Sequence, residues 1–360
     1  MPYYPETSVV MGLARVQRER KLPPGVVVRE MPVNQRMEVE AFQPVLQGDV
    51  LGPLHKVDAA ALVKKVTDPE QIASYIEVRE GQHVEEGQIL ARKGRGRRVK
   101  TVISPVNGQI ARIEGTEIVI QAIERSVEVF AGIPGQVEHA ENNTVLISAT
   151  GALIQCVWGN GPLCFETFRF LPEGGFTGLS QIDVRISEYR RVVVISPDPI
   201  TKRDLAIAEQ QEVAGVVAPS MPSNLRELAL RLTFPVILTE GFGQRRPTEA
   251  IYQLLGSSVG RQAAFNAAVP DRWTGARPEI FIPLPSGNAM PPTPSVDRAL
   301  AVGDRVRIVR APWDGLVVDV VELPSMPQVT ESGLRLPSAR VKLPSGRIIA
   351  VALVNLELLG

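Results

Sequence analysis

The hydrophobic pattern changes near residue 190. Before it, short runs in which apolar and polar residues alternate are separated by turn signals, as in half-buried β-strands; residues 25–30, 37–41 and 145–148 are examples. After it, continuous apolar runs alternate with amphipathic stretches. The pattern therefore predicts a β-rich first half followed by an α/β segment.

Three strands and three helices are predicted within the α/β segment. The strands are residues 191–196, 213–218 and 234–239. The helices are residues 200–211, 223–232 and 247–255. Buried strands that alternate with helices favour a small three-stranded parallel sheet with right-handed crossovers.

These patterns, together with a proline-rich stretch, divide the chain into six segments. We predict an N-terminal tether (1–22), a small barrel (23–127), a β-rich connecting region (128–189), an α/β domain (190–282), a proline-rich linker (283–300) and a C-terminal β module (301–360). The predicted fold class is multidomain β plus α/β. Within the first barrel, residues 28–30 match residues 78–80 and Ala41 matches Ala91, which suggests a duplication.

Composition fits an ordinary globular protein. Hydrophobic residues make up 44% of the chain, charged residues 22%, and the formal net charge is zero. No global field therefore draws the chain to nucleic acid or to a membrane. No apolar run approaches the roughly 18 residues that span a bilayer, and no signal peptide is recognised. A cytoplasmic protein without membrane contact is expected, in which Cys156 and Cys164 are two buried thiols or, alternatively, a disulfide.

Glycine turns and a proline motif mark residues 80–110. Residues 80–90 read EGQHVEEGQIL and residues 104–110 read SPVNGQI. Over residues 76–120 this pattern resembles the biotinyl/lipoyl-like barrel-sandwich hybrid family, which implies a small β-barrel. Arg97 lies where the resemblance places the carrier lysine, and arginine cannot form the amide that holds biotin or lipoate. Carrier function is therefore not expected, and no cofactor is predicted.

The same barrel occurs unmodified in the C subunit of Rnf-type oxidoreductases, but the CxxCxxCxxxCP cluster motifs of that subunit are absent here. The hairpin tip, residues 92–100, is rich in lysine and arginine. Arg95, Arg97 and Arg98 could contact a phosphate backbone or an acidic partner. A solvated hairpin tip explains the same residues.

Residues 302–323 read VGDRVRIVRAPWDGLVVDVVEL. This stretch resembles the KOW module, the SH3-like β-barrel of transcription-elongation factors and ribosomal proteins, and the resemblance extends to about residue 357. Val318 departs from the family, which usually has a glycine there. The resemblance implies binding of RNA or of a protein surface through Arg305, Arg307, Arg310 and Trp313. The alternative is a barrel that only packs against its neighbours.

The motifs of common catalytic sites are absent. The sequence has no GxxxxGK[ST], GxSxG, HExxH or CxxC, and its three histidines lack the spacing of zinc ligands. A ligand of the α/β segment would bind beyond the carboxyl ends of the strands, where Asp198, Ser220, Thr239 and Glu240 lie. Turn and cap roles explain the same four residues, and this interpretation is favoured.

The sequence favours a non-enzymatic multidomain binding or scaffold protein of unknown process, with a protein partner. Whether the chain is an enzyme stays open. One alternative is an RNA-, ribosome- or transcription-associated factor that acts through the KOW-like module. Another is a small-ligand-binding or enzymatic α/β domain. No metal site is predicted, and the pattern does not indicate an oligomeric state.

Overall fold

A computed structural model describes residue 3 and residues 6–62, 69–94, 99–141, 143–271, 276–285, 291–294, 299–310, 312–313, 315–330 and 332–359. The structure is mostly β and contains several sheets, which confirms the coarse prediction of a β-rich chain. None of the helices in this described part has the length and apolar character needed to cross a bilayer.

The strands of the first half are β1 (Glu6–Ser8), β2 (Val10–Lys21), β3 (Val26–Glu30), β4 (Glu38–Val39), β5 (Pro44–Asp58), β6 (His83–Val84), β7 (Ile89–Lys93), β8 (Lys100–Ile103), β9 (Gly108–Glu114), β10 (Glu117–Phe130), β11 (Gly135–Glu141) and β12 (Thr144–Gln155). A 3-10 helix (Ala59–Leu62) and helix α1 (Pro69–Ala73) follow β5.

The strands of the second half are β13 (Trp158–Gly159), β14 (Leu163–Phe170), β15 (Val193–Ile195), β16 (Gly215–Met221), β17 (Val236–Phe242), β18 (Gln262–Asn266), β19 (Glu279–Pro283), β20 (Arg305–Ile308), β21 (Val317–Glu322), β22 (Gln328–Val329), β23 (Arg335–Leu336), β24 (Ser338–Lys342), β25 (Ile348–Ala352) and β26 (Leu356–Leu359). The helices are α2 (Gly175–Leu179), α3 (Lys202–Gln210), α4 (Arg226–Ala229) and α5 (Glu249–Gly256), with 3-10 turns at Ser223–Leu225 and Leu353–Asn355.

The largest sheet joins the two halves of the chain. Its strand order is β13-β17-β16-β15-β14-β18-β19-β12-β11-β4, and β2 pairs with β12. Strands β14 to β17 are parallel; α2, α3 and α4 pack on one face of them and α5 on the other. The three predicted strands are present, but β14 adds a fourth. Its side chains are mostly half-buried, so it lacks the continuous apolar run of its neighbours.

The predicted N-terminal tether contains two strands. β1 pairs in parallel with β26 of the C-terminal sheet, and β2 runs along β12. The charged sequence of β2 suggested a solvated segment, yet Ala14 and Val16 are buried while Arg15 forms an ion pair with Glu138. A polar outer face and a small apolar inner face are compatible with a strand.

Two copies of one β unit are nested in the first half of the chain. The outer copy contains residues 17–21, 33–48, 127–141 and 143–148, and the inner copy contains residues 54–58, 78–93 and 100–121. The inner copy is therefore inserted into one hairpin of the outer copy. The registers of two hairpins establish the equivalence.

In the first hairpin, β9–β10 of the inner copy and β11–β12 of the outer copy, the ladder skips one residue, Ala111 or Glu138. The flanking pairs correspond: Ile110↔Ile120 and Arg112↔Val119 in the inner copy, Val137↔Ile147 and His139↔Leu146 in the outer copy. The second hairpin is β7–β8 in the inner copy and β5–β10 in the outer copy. In the inner copy the ladder skips Leu90, between the pairs Ile89↔Ile103 and Ala91↔Val102. In the outer copy it skips Val45, between the pairs Pro44↔Phe130 and Leu46↔Val129.

Backbone hydrogen bonds repeat as well. Gly81 donates to Ile110 O at 2.8 Å, and Arg36 donates to Val137 O at 2.7 Å. Gly81 and Arg36 share a positive φ, 79° and 69°, a conformation that rarely suits arginine. The duplication is thus present with a different alignment from the predicted one, because Ala91 corresponds to Leu46.

The remaining sheets are open. The inner copy belongs to a sheet of order β3-β5-β10-β9-β6, beside the separate pair β7-β8. The C-terminal sheet has the order β1-β26-β20-β21-β24-β25, and β22-β23 forms a separate pair. No sheet of the described residues closes into a barrel, where two barrels were predicted. In the C-terminal sheet, β1 extends one edge and β25 ends the other.

Candidate functional site

A groove of about 680 Å³ lies on the C-terminal sheet. It is bounded by the edge strand β25, by residues 308, 310, 312 and 313, and by residues 330, 332, 334 and 336. Most lining side chains are apolar: Ile308, Pro312, Trp313, Leu334, Leu336, Ile349, Ala350, Val351, Ala352 and Val354. On the rim, Leu334 is 59% exposed and Val354 is 74% exposed. Arg310 is the one charged residue among the described residues that line it.

A buried ion-pair network lies between the α/β strands and the C-terminal sheet. Arg307, on β20, donates to Glu240 at the end of β17 and to Glu357 on β26; its Nε lies 2.8 Å from Glu357 Oε2. Thr248, which precedes α5, donates both its N–H and its hydroxyl to Glu240 Oε1, at 3.0 and 2.8 Å. All four residues are buried, so the network fixes the C-terminal sheet on the α/β layer.

The network keeps Arg307 charged. Burial opposes the charge, but the carboxylates of Glu357 and Glu240 outweigh it and raise the pKa of the Arg307 guanidinium. Breaking such a buried pair typically costs about 3–5 kcal/mol, since one charge is left without a partner. Arg307, predicted as a contact residue, therefore has no exposed guanidinium to offer to RNA or protein.

The other three predicted contact residues of the C-terminal module are accessible. Arg305 is exposed, with its Nε 3.9 Å from Asp319 Oδ1. Arg310 and Trp313 line the groove, and Trp313 also packs against the C-terminal core. These three side chains do not form one continuous patch with Arg307, because Arg307 points into the domain contact.

The four predicted pocket residues are not brought into one cavity. Asp198 is exposed in a turn, where Ser196 Oγ donates to its carbonyl at 2.8 Å. Ser220 holds the loop after β17, since its Oγ accepts from Arg245 N at 2.9 Å. Thr239 lines a cavity of about 10 Å³, too small for a ligand. Glu240 is occupied by Arg307 and Thr248.

A second cavity, of about 390 Å³, lies beside the ion-pair network. Glu240 and Arg307 of the network line it, together with the loop after β17, including Arg245 and Arg246, and with Val309, Gly315 and Leu316 of the C-terminal module. Both arginines are exposed, and Arg245 Nη1 lies 3.3 Å from the carbonyl of Glu240. The cavity is at the carboxyl ends of the parallel strands, where α/β sheets bind ligands.

At the basic hairpin tip, Arg95, Arg97 and Arg98 lie outside the described residues. Just before the tip, Lys93 Nζ lies 5.1 Å from the centroid of the Tyr75 ring, and Lys93 pairs in register with Lys100. Lys93 thus has a cation–π contact with an aromatic ring that precedes the inner copy in the chain.

Both cysteines are free thiols. Burial, and then the charges of Glu240 and Glu279, raise the pKa of Cys156. Burial, and then Glu166, raise the pKa of Cys164 to about 12. Neither thiol is a thiolate near neutral pH, as a nucleophile would have to be.

Sequence reasoning missed the partnership of Glu240 and Arg307. Each residue was selected for a separate site, because a pair so distant along the chain has no local signature. The sequence signal was a charged residue within an apolar run, at Glu240 in β17 and at Arg307 between Val306 and Ile308. Such a residue needs a buried partner.

Neither a family model nor a curated protein matches this chain. Among the described residues, no group of three or more histidine, cysteine, aspartate or glutamate side chains could hold a metal ion.

Proposed function

We propose that this chain is a non-enzymatic multidomain binding or scaffold protein, whose C-terminal sheet binds a protein partner in the groove beside β25. The groove itself carries the proposal: about 680 Å³, mostly apolar, with exposed leucine and valine side chains on its rim. Exposed apolar side chains around a concavity are typical of interaction sites. The buried Arg307 network supports the proposal, because it holds the C-terminal sheet, and with it the groove, in a fixed position on the α/β layer.

Affinity purification from the native host tests this function, with wild-type, Leu334→Asp and Val354→Asp chains compared by quantitative mass spectrometry. Met326→Asp is the control, since Met326 is 73% exposed and does not line the groove. We expect one partner to be retained by the wild type and the control but lost from both groove variants. Equal recovery with all four chains would refute the proposal.

At the level of fold, we propose that the nested copies are of the barrel-sandwich hybrid type and that residues 301–360 are an SH3-like module of KOW type. The glycine turns of the inner copy and the order β26-β20-β21-β24-β25 support these assignments. A cytoplasmic location stays a prediction. RNA binding through Arg305, Arg310 and Trp313 also stays a prediction, now without Arg307.

A second candidate function is ligand binding by the 390 Å³ cavity, favoured by the exposed Arg245 and Arg246 on its wall. These two cations suit an anionic group such as a phosphate. A thermal-shift screen with nucleotides and sugar phosphates tests it, with Arg246→Ala as the variant and Arg203→Ala, on the exposed side of α3, as the control. A stabilising compound should lose its effect in Arg246→Ala alone; no stabilisation by any compound would reject this function.

A further inference from the structure

The two edges of the C-terminal sheet differ in their strand pairing. On one edge, β26 is covered by β1, which adds in parallel from the N-terminus. On the other edge, β25 pairs only with β24 among the described strands. β25 has the sequence IIAVA, without charge, proline or bulge. Proteins usually protect a free edge with one of these devices, because its unpaired backbone groups invite another strand.

The register shows which backbone groups of β25 are free to pair. At the two ends of the β24–β25 hairpin, Leu343 donates to Arg347 O at 2.8 Å and Leu353 donates to Pro337 O at 3.0 Å. Hydrogen-bonded pairs alternate along an antiparallel ladder. The N–H and C=O groups of Ile348 and Ala350 and the N–H group of Ala352 therefore point away from β24, and Ala350 and Ala352 line the groove. The carbonyl of Ala352, by contrast, accepts within the 3-10 turn that it caps.

We infer that the groove binds an extended polypeptide segment that pairs with β25 as an added strand and carries a carboxylate opposite Arg310. This inference rests on the proposed function and names the chemistry of the partner. Main-chain hydrogen bonds to β25 give affinity, while alternate apolar side chains of the segment lie against Trp313, Leu334 and Val354. Arg310 makes the described lining cationic, which selects an acidic residue in the segment.

Synthetic peptides test the inference on the full chain. The probe is a fluorescent eight-residue peptide of alternating valine and threonine with one central aspartate, and its asparagine and lysine versions are compared by anisotropy. We expect the aspartate peptide to bind, the asparagine peptide to bind about threefold to tenfold more weakly, and the lysine peptide more weakly still. In Arg310→Glu this order should reverse.

Two changes separate strand addition from simple apolar binding. Methylating alternate peptide nitrogens of the probe removes main-chain donors without touching the protein, and binding should be lost. Ala350→Pro removes an outward N–H, which an edge strand tolerates, and should weaken binding at least tenfold. Met326→Pro, outside the groove, is the control. Unchanged affinity of the methylated peptide would overturn strand addition.

The remaining outcomes are decisive too. Displacement of the peptide by an RNA oligonucleotide, or a wild-type dimer that Ala350→Pro turns into a monomer, would assign the edge to nucleic acid or to a second copy and overturn the inference. If the native partner is lost from Leu334→Asp but retained by Ala350→Pro, strand addition fails while the proposed function stands. If Leu334→Asp retains every partner, both fail.

Discussion

The inner and outer copies share a register but differ in what surrounds their cores. In the inner copy, Ile120 is fully buried with residues of the same copy, including Ile110 and Leu90. In the outer copy, the equivalent Ile147 is fully buried beside Phe281 of β19 and Ala264 of β18. The inner copy therefore has a core of its own, whereas the outer copy is part of the main sheet. The same pairing pattern can serve either role because register depends on local alternation, whereas burial depends on the neighbours.

The largest expected effects come from the matched substitutions Ile147→Ala and Ile120→Ala. Each should cost about 2–5 kcal/mol of local stability, because both side chains are fully buried. Ile147→Ala should also accelerate amide exchange in β18 and β19, since its core includes Ala264 and Phe281 of those strands, whereas Ile120→Ala should accelerate exchange only within the inner copy. If the faster exchange spread equally far in the two variants, the two copies would not differ in how their cores connect to the main sheet.

Equivalent glycines provide a sharper, smaller perturbation. A Cβ at Gly108 would lie 2.3 Å from Gln121 O, and a Cβ at Gly135 would lie 2.3 Å from Ser148 O. Each alanine substitution should therefore cost about 1–3 kcal/mol through backbone displacement, measured by denaturant unfolding. Gly12→Ala in β2 is the control, because its Cβ would meet only Leu254 at 3.9 Å. A loss at one glycine alone would mean that the two hairpins are not equivalent.

The residue that the ladder skips should make the stability of the two copies depend differently on pH. It is Ala111 in the inner copy and Glu138 in the outer copy. Partial burial opposes ionisation of Glu138, but hydrogen bonds from Arg15, Ser148 and Gln17 outweigh it and lower the pKa of the carboxyl. A lowered pKa in the folded state stabilises the protein above the unfolded value, about 4.3, and this contribution disappears as the pH falls through the folded pKa.

We therefore expect the protection of β11 amides against hydrogen exchange to fall as the pH decreases from about 5 to about 3. The loss of protection should be larger in β11 than in β9. Glu138→Gln should abolish that difference and cost about 1 kcal/mol at neutral pH. The exposed Glu141→Gln is the control. Acid loss of protection that persists in Glu138→Gln would assign the effect to other groups.

The smallest effects are expected at the repeated turn. Gln43 Oε1 accepts from Glu40 N at 3.3 Å, and Gln88 Oε1 accepts from Glu85 N at 3.0 Å. Both turns are exposed, so replacing either glutamine with alanine should lower the free energy of unfolding by about 0.5 kcal/mol. The loss should be the same in the two copies. A much larger loss at Gln43 would show that the outer turn is coupled to the main sheet as well. Chemical denaturation of the two single variants measures this.

Local patterns predicted many elements and few connections. The strands predicted at 191–196, 213–218 and 234–239 are found at Val193–Ile195, Gly215–Met221 and Val236–Phe242. α3 begins where Thr201 and Asp204 form reciprocal capping hydrogen bonds, close to the predicted start at residue 200. β2 was missed because a strand with a charged outer face looks like a solvated tether.

The candidate sites were predicted less well than the elements. Arg310 and Trp313 were selected from sequence and do line the groove. Leu334 and Val354 were not selected, because an exposed leucine or valine has no meaning until its neighbours are known. The sequence assigns Glu240 and Arg307 to separate surfaces, and only the structure shows that they form one buried network.

By itself the sequence determined the alternation that makes strands, the glycine and glutamine turns, and the arginine at residue 97, where the resemblance to biotinyl/lipoyl barrels would place a carrier lysine. These follow from local sterics and the chemistry of single side chains. The tertiary structure alone decided that one copy of the β unit is nested in the other and that Arg307 is buried against Glu240. It also decided that β1 covers one edge of the C-terminal sheet, while β25 pairs only with β24 among the described strands. Such features depend on residues far apart in the chain, whose proximity is fixed only when the core closes.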